Sequence, residues 1–99
     1  MATVNLSWTS PASGSGGTPS GYYIYRASGT VTPTVSGGAL QSAFVKINSS
    51  SPVSHTGSNT GHSSVDTVTA GTTHTYVVAA FNEAGEGITS GILHDTVTA

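Results

Sequence analysis

Cysteine is absent from this chain, which excludes a disulfide framework and thiolate chemistry. That absence is neutral about compartment, because reducing and oxidising surroundings both tolerate it. Charge is scarce as well: Asp, Glu, Lys and Arg make up 6% of the residues, against ~25% in ordinary soluble domains. Arg26 and Lys46 are the only Lys or Arg residues, and the net charge is −2. Such a chain cannot neutralise a run of phosphates, so nucleic acid and anionic membrane surfaces are not expected partners. No apolar run approaches the ~18 residues of a membrane span, and membrane insertion is not expected. The start MATVNLSW also lacks the basic-then-apolar order of an export signal.

Hydroxyls take the place of charge. Ser and Thr number sixteen each beside 13 Gly, which predicts a surface coated with hydroxyl groups. With 99 residues the chain is read as one domain, 1–99, able to bury somewhat over ~60% of its unfolded surface. The organising stretch is residues 73–81, rich in Thr, Tyr, Val and Phe, whose branched and aromatic side chains suit a pleated, half-buried surface. Ala70, Gly71 and Thr72 before it and residues 82–87 after it read as turns.

Elsewhere, Val4, Leu6 and Trp8 alternate with polar residues at the period of a strand facing a core. Residues 10–20 (SPASGSGGTPS) are a loop, and residues 21–26 (GYYIYR) a second strand. Residues 27–39 are turn-rich, and 40–47 hold a short strand centred on Phe44, Val45 and Ile47. A polar loop over 48–61 leads to a strand over 63–68 with Val65 and Val68 expected inward. A last strand lies within 88–97 and contains Ile92, Leu93 and Val97. Six or seven short strands and no helical period predict an all-β, antiparallel, immunoglobulin-like β-sandwich.

The segments VNLSW, GYYIYR and VDTVTAGTTHTYVVAAFNEAGEG, followed by Ser90 before the last strand, come in an order and spacing that resemble a fibronectin type III domain of bacterial or bacteriophage type. The resemblance covers nearly the whole chain. It implies that topology and a core of Val4, Leu6, Trp8, Tyr22, Ile24, Val65, Val68, Tyr76, Val78 and Ala80. Two departures stand out. The family's corner tyrosine, which bonds back across a strand-to-strand turn, is replaced by His74; and only Met1, Ala2 and Thr3 precede the VNLSW strand, where the family has a further strand. That strand is therefore expected at a sheet edge, without the charge or proline that normally blunts one.

No constellation for chemistry emerges. Asp66, Glu83, Glu86 and Asp95 are scattered, and Asp66 reads as a turn or hydroxyl-bonding residue. A GxSxG elbow is missing, and no pair among His55, His62, His74 and His94 has HxH or HxxxH spacing. Neither an enzyme nor a metal or cofactor site is expected. Alternation instead sends Tyr23, Tyr25, Val77, Ala79 and Phe81 to the outer face of their sheet as an apolar patch of the kind that marks contacts. With the edge at Val4 and the exit segment from Leu93, this patch is the expected interaction surface. The expectation is a non-enzymatic structural module docking onto protein subunits of a capsid or tail in a virion. The alternative is a spacer or weak glycan-binding module of a secreted polysaccharide-degrading enzyme.

Overall fold

A computed structural model describes residues 1–9, 20–36, 39–54, 61–82, 85–86 and 93–99. In chain order the strands are β1 (Ala2–Thr9), β2 (Gly21–Ser28), β3 (Val35–Ser36), β4 (Ala39–Leu40) and β5 (Val45–Lys46). β6 (Val53–Ser54), β7 (Gly61–Val68), β8 (Thr73–Asn82), β9 (Gly85–Glu86) and β10 (Leu93–Thr98) follow. No helix occurs among the described residues. β1 pairs antiparallel with β7 in one layer, and the facing sheet runs β10-β8-β2-β5, with β6 also on β2 and β9 on β8. The fold is an all-β antiparallel sandwich.

Period-two burial builds the core. Val4, Leu6 and Trp8 of β1 and Val68 of β7 meet Tyr22, Ile24 and Tyr76 from the facing sheet, with Val78, Ala80 and Val97 packed around them. Each buried side chain of this size contributes ~1.5–3 kcal/mol of apolar transfer. Trp8 packs edge-on to Tyr22 at 5.5 Å, and His62 stacks on Trp8 at 6.2 Å. Val65 departs from expectation: it is 66% exposed. Val65 and Val68 are an odd number of residues apart, so a pleated strand places them on opposite faces. The inward set of β7 includes His62 and Val68, both buried, with Ser64 and Asp66 partly covered between them.

The outer face of this larger, six-stranded sheet holds a second, smaller cluster of Ala27, Phe44 and Val77, with Tyr25, Val31 and Leu40 against it. Val77 and Ala79, expected on an open patch, are 0% and 1% exposed. For Val77 the reason is a cover formed by the segment between β2 and β5. Thr75, fully buried on β8, anchors its start: the hydroxyl donates to the Gly29 carbonyl at 2.8 Å and accepts from the Val31 amide at 3.1 Å. Gln41 ties the segment together through the Thr34 amide and the Thr32 carbonyl, both at 2.8 Å.

The outer edge of β2 is closed piecemeal. β5 pairs with Tyr25 and Arg26, and β6 with Gly21 and Tyr22. Between them the Asn48 side chain stands in for a strand, accepting from the Ile24 amide at 2.7 Å and donating to the Tyr22 carbonyl at 3.3 Å. Gly21 permits the close approach of β6, since a Cβ there would lie 2.5 Å from the Val53 carbonyl oxygen and 2.9 Å from the Phe81 ring. At the β7–β8 turn Gly71 adopts φ 84°, a conformation that glycine takes without a Cβ penalty. The expected strand over 88–97 is described as Leu93–Thr98. Residues 88–92, most of the 10–20 loop, His55 and Glu83 lie outside the described residues.

Candidate functional site

Three of the expected contact residues come together. β2 and β8 pair with Gly21 opposite Phe81 and Tyr23 opposite Ala79, so Phe81 lies diagonal to Tyr23 with small residues in the other two places. The two rings stack at 4.4 Å and 26°. Lys46, opposite Tyr25 on β5, sets its Nζ 3.8 Å over the Tyr23 ring and 5.7 Å from that of Tyr25. A cation over an aromatic face at an exposed site contributes ~0.5–1 kcal/mol. The product is a half-buried strip, Phe81-Tyr23-Lys46-Tyr25, on a rigid sheet.

The remaining expected residues divide differently. Val77 lies under the cover, and Ala79, opposite Tyr23, is buried as well, so neither side chain is open to a partner. Val4 is buried in the other layer, so its part in docking is limited to its main chain. Leu93 heads β10 with its main chain opposite Val78, on the far side of β8 from β2 and away from the strip.

A second feature is the flank where β1 and β10 end their layers. Among the described residues β1 pairs only with β7, and β10 only with β8. The gap between them is a cleft of about 260 Å³ lined by Asn5, Leu6 and Trp8 of β1, Val78 of β8 and Asp95 and Val97 of β10. The β1 edge carries neither charge nor proline over its eight residues. In an antiparallel pair every second residue turns its N–H and C=O away from the partner, so this edge presents unpaired groups beside the cleft.

No family model matches the chain, and no curated protein matches it.

The hydroxyl-bonding role expected of Asp66 is present, but sequence reasoning missed the ion pair that makes it a polar link between the layers. Asp66 of β7 accepts from Arg26 Nη1 of β2 at 2.8 Å and from the Tyr76 hydroxyl of β8 at 2.7 Å. Burial pushes the Asp66 carboxyl up, but hydrogen bonds from Arg26 and Tyr76 and the guanidinium charge outweigh it and hold the carboxyl below its ordinary value. Burial first, and then the Asp66 carboxylate, push the Tyr76 phenol up to about 12. At neutral pH Asp66 is thus ionised and Tyr76 protonated, an arrangement that fastens the layers and has no proton poised for transfer. A signal existed: strand parity puts Arg26 with Tyr22 and Ile24, and Asp66 with Val68, so both charges face inward.

His74 does not reproduce the corner bond at one of its nitrogens: Nδ1 is buried without a hydrogen-bond partner among the described residues. Among the described residues no three His, Asp or Glu side chains group as a metal site.

Proposed function

We propose that this chain is a non-enzymatic structural module, a fibronectin type III-like sandwich that decorates a bacteriophage virion or belongs to its tail. It docks on protein subunits through the β1 edge and the strip of Tyr23, Tyr25 and Phe81. The observation that carries this reading is the uncharged β1 edge, unpaired on one side among the described residues and eight residues long. Folded chains normally blunt such an edge, and one left plain is a template for association. The sequence resemblance and the scarcity of charge support the virion setting.

A spacer or weak carbohydrate-binding role in a secreted polysaccharide-degrading enzyme would use the same strip. It ranks second because it makes no use of the uncharged β1 edge. Mass spectrometry of virions purified from the source genome tests the first reading. The chain is expected at a fixed copy number per particle, reduced by the double substitution Tyr23→Ser with Tyr25→Ser. Absence from particles overturns it.

A further inference from the structure

The two layers are unequal. Two strands, β1 and β7, face a sheet that runs β10-β8-β2-β5. The shortfall lies on the β10 side, because the cleft passes from Leu6 and Trp8 across Val78 of β8 to Val97 and Asp95 of β10. β10 therefore reaches one strand further out than β1, and Val97 on its inner face is half-buried, packed on the core on one side and lining the cleft on the other. The volume, about 260 Å³, is many times the ~30 Å³ share of a water molecule. It lies where a strand beside β1, at the usual ~4.8 Å spacing, would send its inward side chains.

We infer that this cleft accepts a single extended strand from another polypeptide, which hydrogen-bonds to the free edge of β1 and places alternate apolar side chains over Leu6, Val78 and Val97. This inference rests on the docking role proposed above and names the form its partner takes. Of the two edges on this flank that are unpaired among the described residues, β10 bears His94 and Asp95, whereas β1 has no charged residue, so β1 is the edge open to pairing. The chemistry of the strand follows from the lining. Its inward positions over Leu6, Val78 and Val97 are apolar; next to Asp95, the one carboxylate among the lining residues and the neighbour of His94, a lysine is favoured over a glutamate. An incoming main chain also brings carbonyl acceptors to the flank of Trp8, which is 7% exposed and whose indole Nε1 has no acceptor among the described residues.

A second copy of this chain does not fit the same place. Two β1 edges brought to hydrogen-bonding distance would drive their projecting β10 strands into each other.

The probe is a fluorescein-labelled, amidated peptide alternating Val and Thr over the length of β1, with one terminal residue either Lys or Glu, titrated into the full chain and read by anisotropy. Saturable binding is expected, tighter for the Lys peptide. Val97→Trp, which fills the cleft, weakens it at least about tenfold, and Val45→Thr, at an exposed position on β5 in the facing sheet, leaves it unchanged. Hydrogen exchange on the unsubstituted protein gives a second reading that needs no variant: alternate β1 amides slow when the peptide binds. No binding up to about 1 mM, binding indifferent to Val97→Trp in a folded variant, or unchanged β1 exchange overturns the inference. So does sedimentation showing a dimer of the chain alone that Val97→Trp dissolves. These outcomes are separate from the virion test: a chain present in particles that ignores the peptide refutes only the strand, and a chain absent from particles that binds it refutes only the setting.

Discussion

Replacing Asp66 with alanine removes the acceptor shared by Arg26 and Tyr76, and the two donors suffer unequally. Tyr76 is 2% exposed, so its hydroxyl is left without an acceptor in a dry place. An unsatisfied buried donor costs ~1–3 kcal/mol. The Arg26 side chain is 34% exposed and regains water, so its lost ion pair adds no more than ~1 kcal/mol. A total of about 2–3 kcal/mol, at ~4–8 °C per kcal/mol for a chain of this size, lowers Tm by roughly 10–20 °C. Tyr76→Phe removes the hydroxyl but keeps the ion pair, and is expected to cost ~1 kcal/mol. The double variant should then lose about as much as Asp66→Ala alone, with a coupling of about 1 kcal/mol in the cycle. Urea denaturation followed by circular dichroism measures all four proteins. Additive losses, or an Asp66→Ala cost below ~0.5 kcal/mol, would refute the shared-acceptor account.

The same link sets a pH window. Asp66 titrates lower when folded than its ordinary 3.8, so the unfolded chain binds the extra proton first. Its contribution is complete above that value and is lost as pH falls through the folded pKa. Tyr76 is the reverse case: its phenol moves from 10.0 to about 12 on folding, so its contribution is complete below pH 10.0 and disappears as pH rises through 12. Asp66→Ala should flatten the acid limb and shrink the alkaline one.

Thr75→Val, nearly isosteric, leaves the Gly29 carbonyl and Val31 amide without their hydroxyl partner; a loss of ~1–3 kcal/mol and faster exchange of the Val31 amide are expected. Asn48→Ala strips the Ile24 amide and Tyr22 carbonyl of their side-chain partner, with a similar ~1–3 kcal/mol cost and selective loss of Ile24 protection by hydrogen exchange. Gly21→Ala forces a methyl against the Val53 carbonyl and the Phe81 ring, and thermal melting should show a loss of ~1–3 kcal/mol together with altered Phe81 ring shifts by NMR.

Long strands were legible because their alternation extends far enough to be read. β1, β2 and the stretch of β8 from 73 to 81 match their expected places, as does the turn at Gly71. The elements that escaped are short or indirect. Two-residue strands such as β5 and β6 carry no period, and an asparagine side chain acting as a length of strand leaves no pattern at all. Outward direction was read correctly for Tyr23, Tyr25 and Phe81. It was mistaken for exposure at Val77 and Ala79, because parity says which face a residue takes and nothing about what later lies over it. The polar link between Arg26, Asp66 and Tyr76 could have been found by applying the same parity to charges.

The cover over Val77 depends on Phe44, a few half-buried aliphatics and one threonine hydroxyl, while the main core draws on both layers. Protection against unfolding follows buried contact, so these two parts of the molecule come loose at different free energies. A limiting protease should therefore nick the chain within residues 30–43 before the sandwich melts. The nicked species would display, for as long as it survives, the greasy strip of Ala27 and Val77 that the intact protein keeps out of sight.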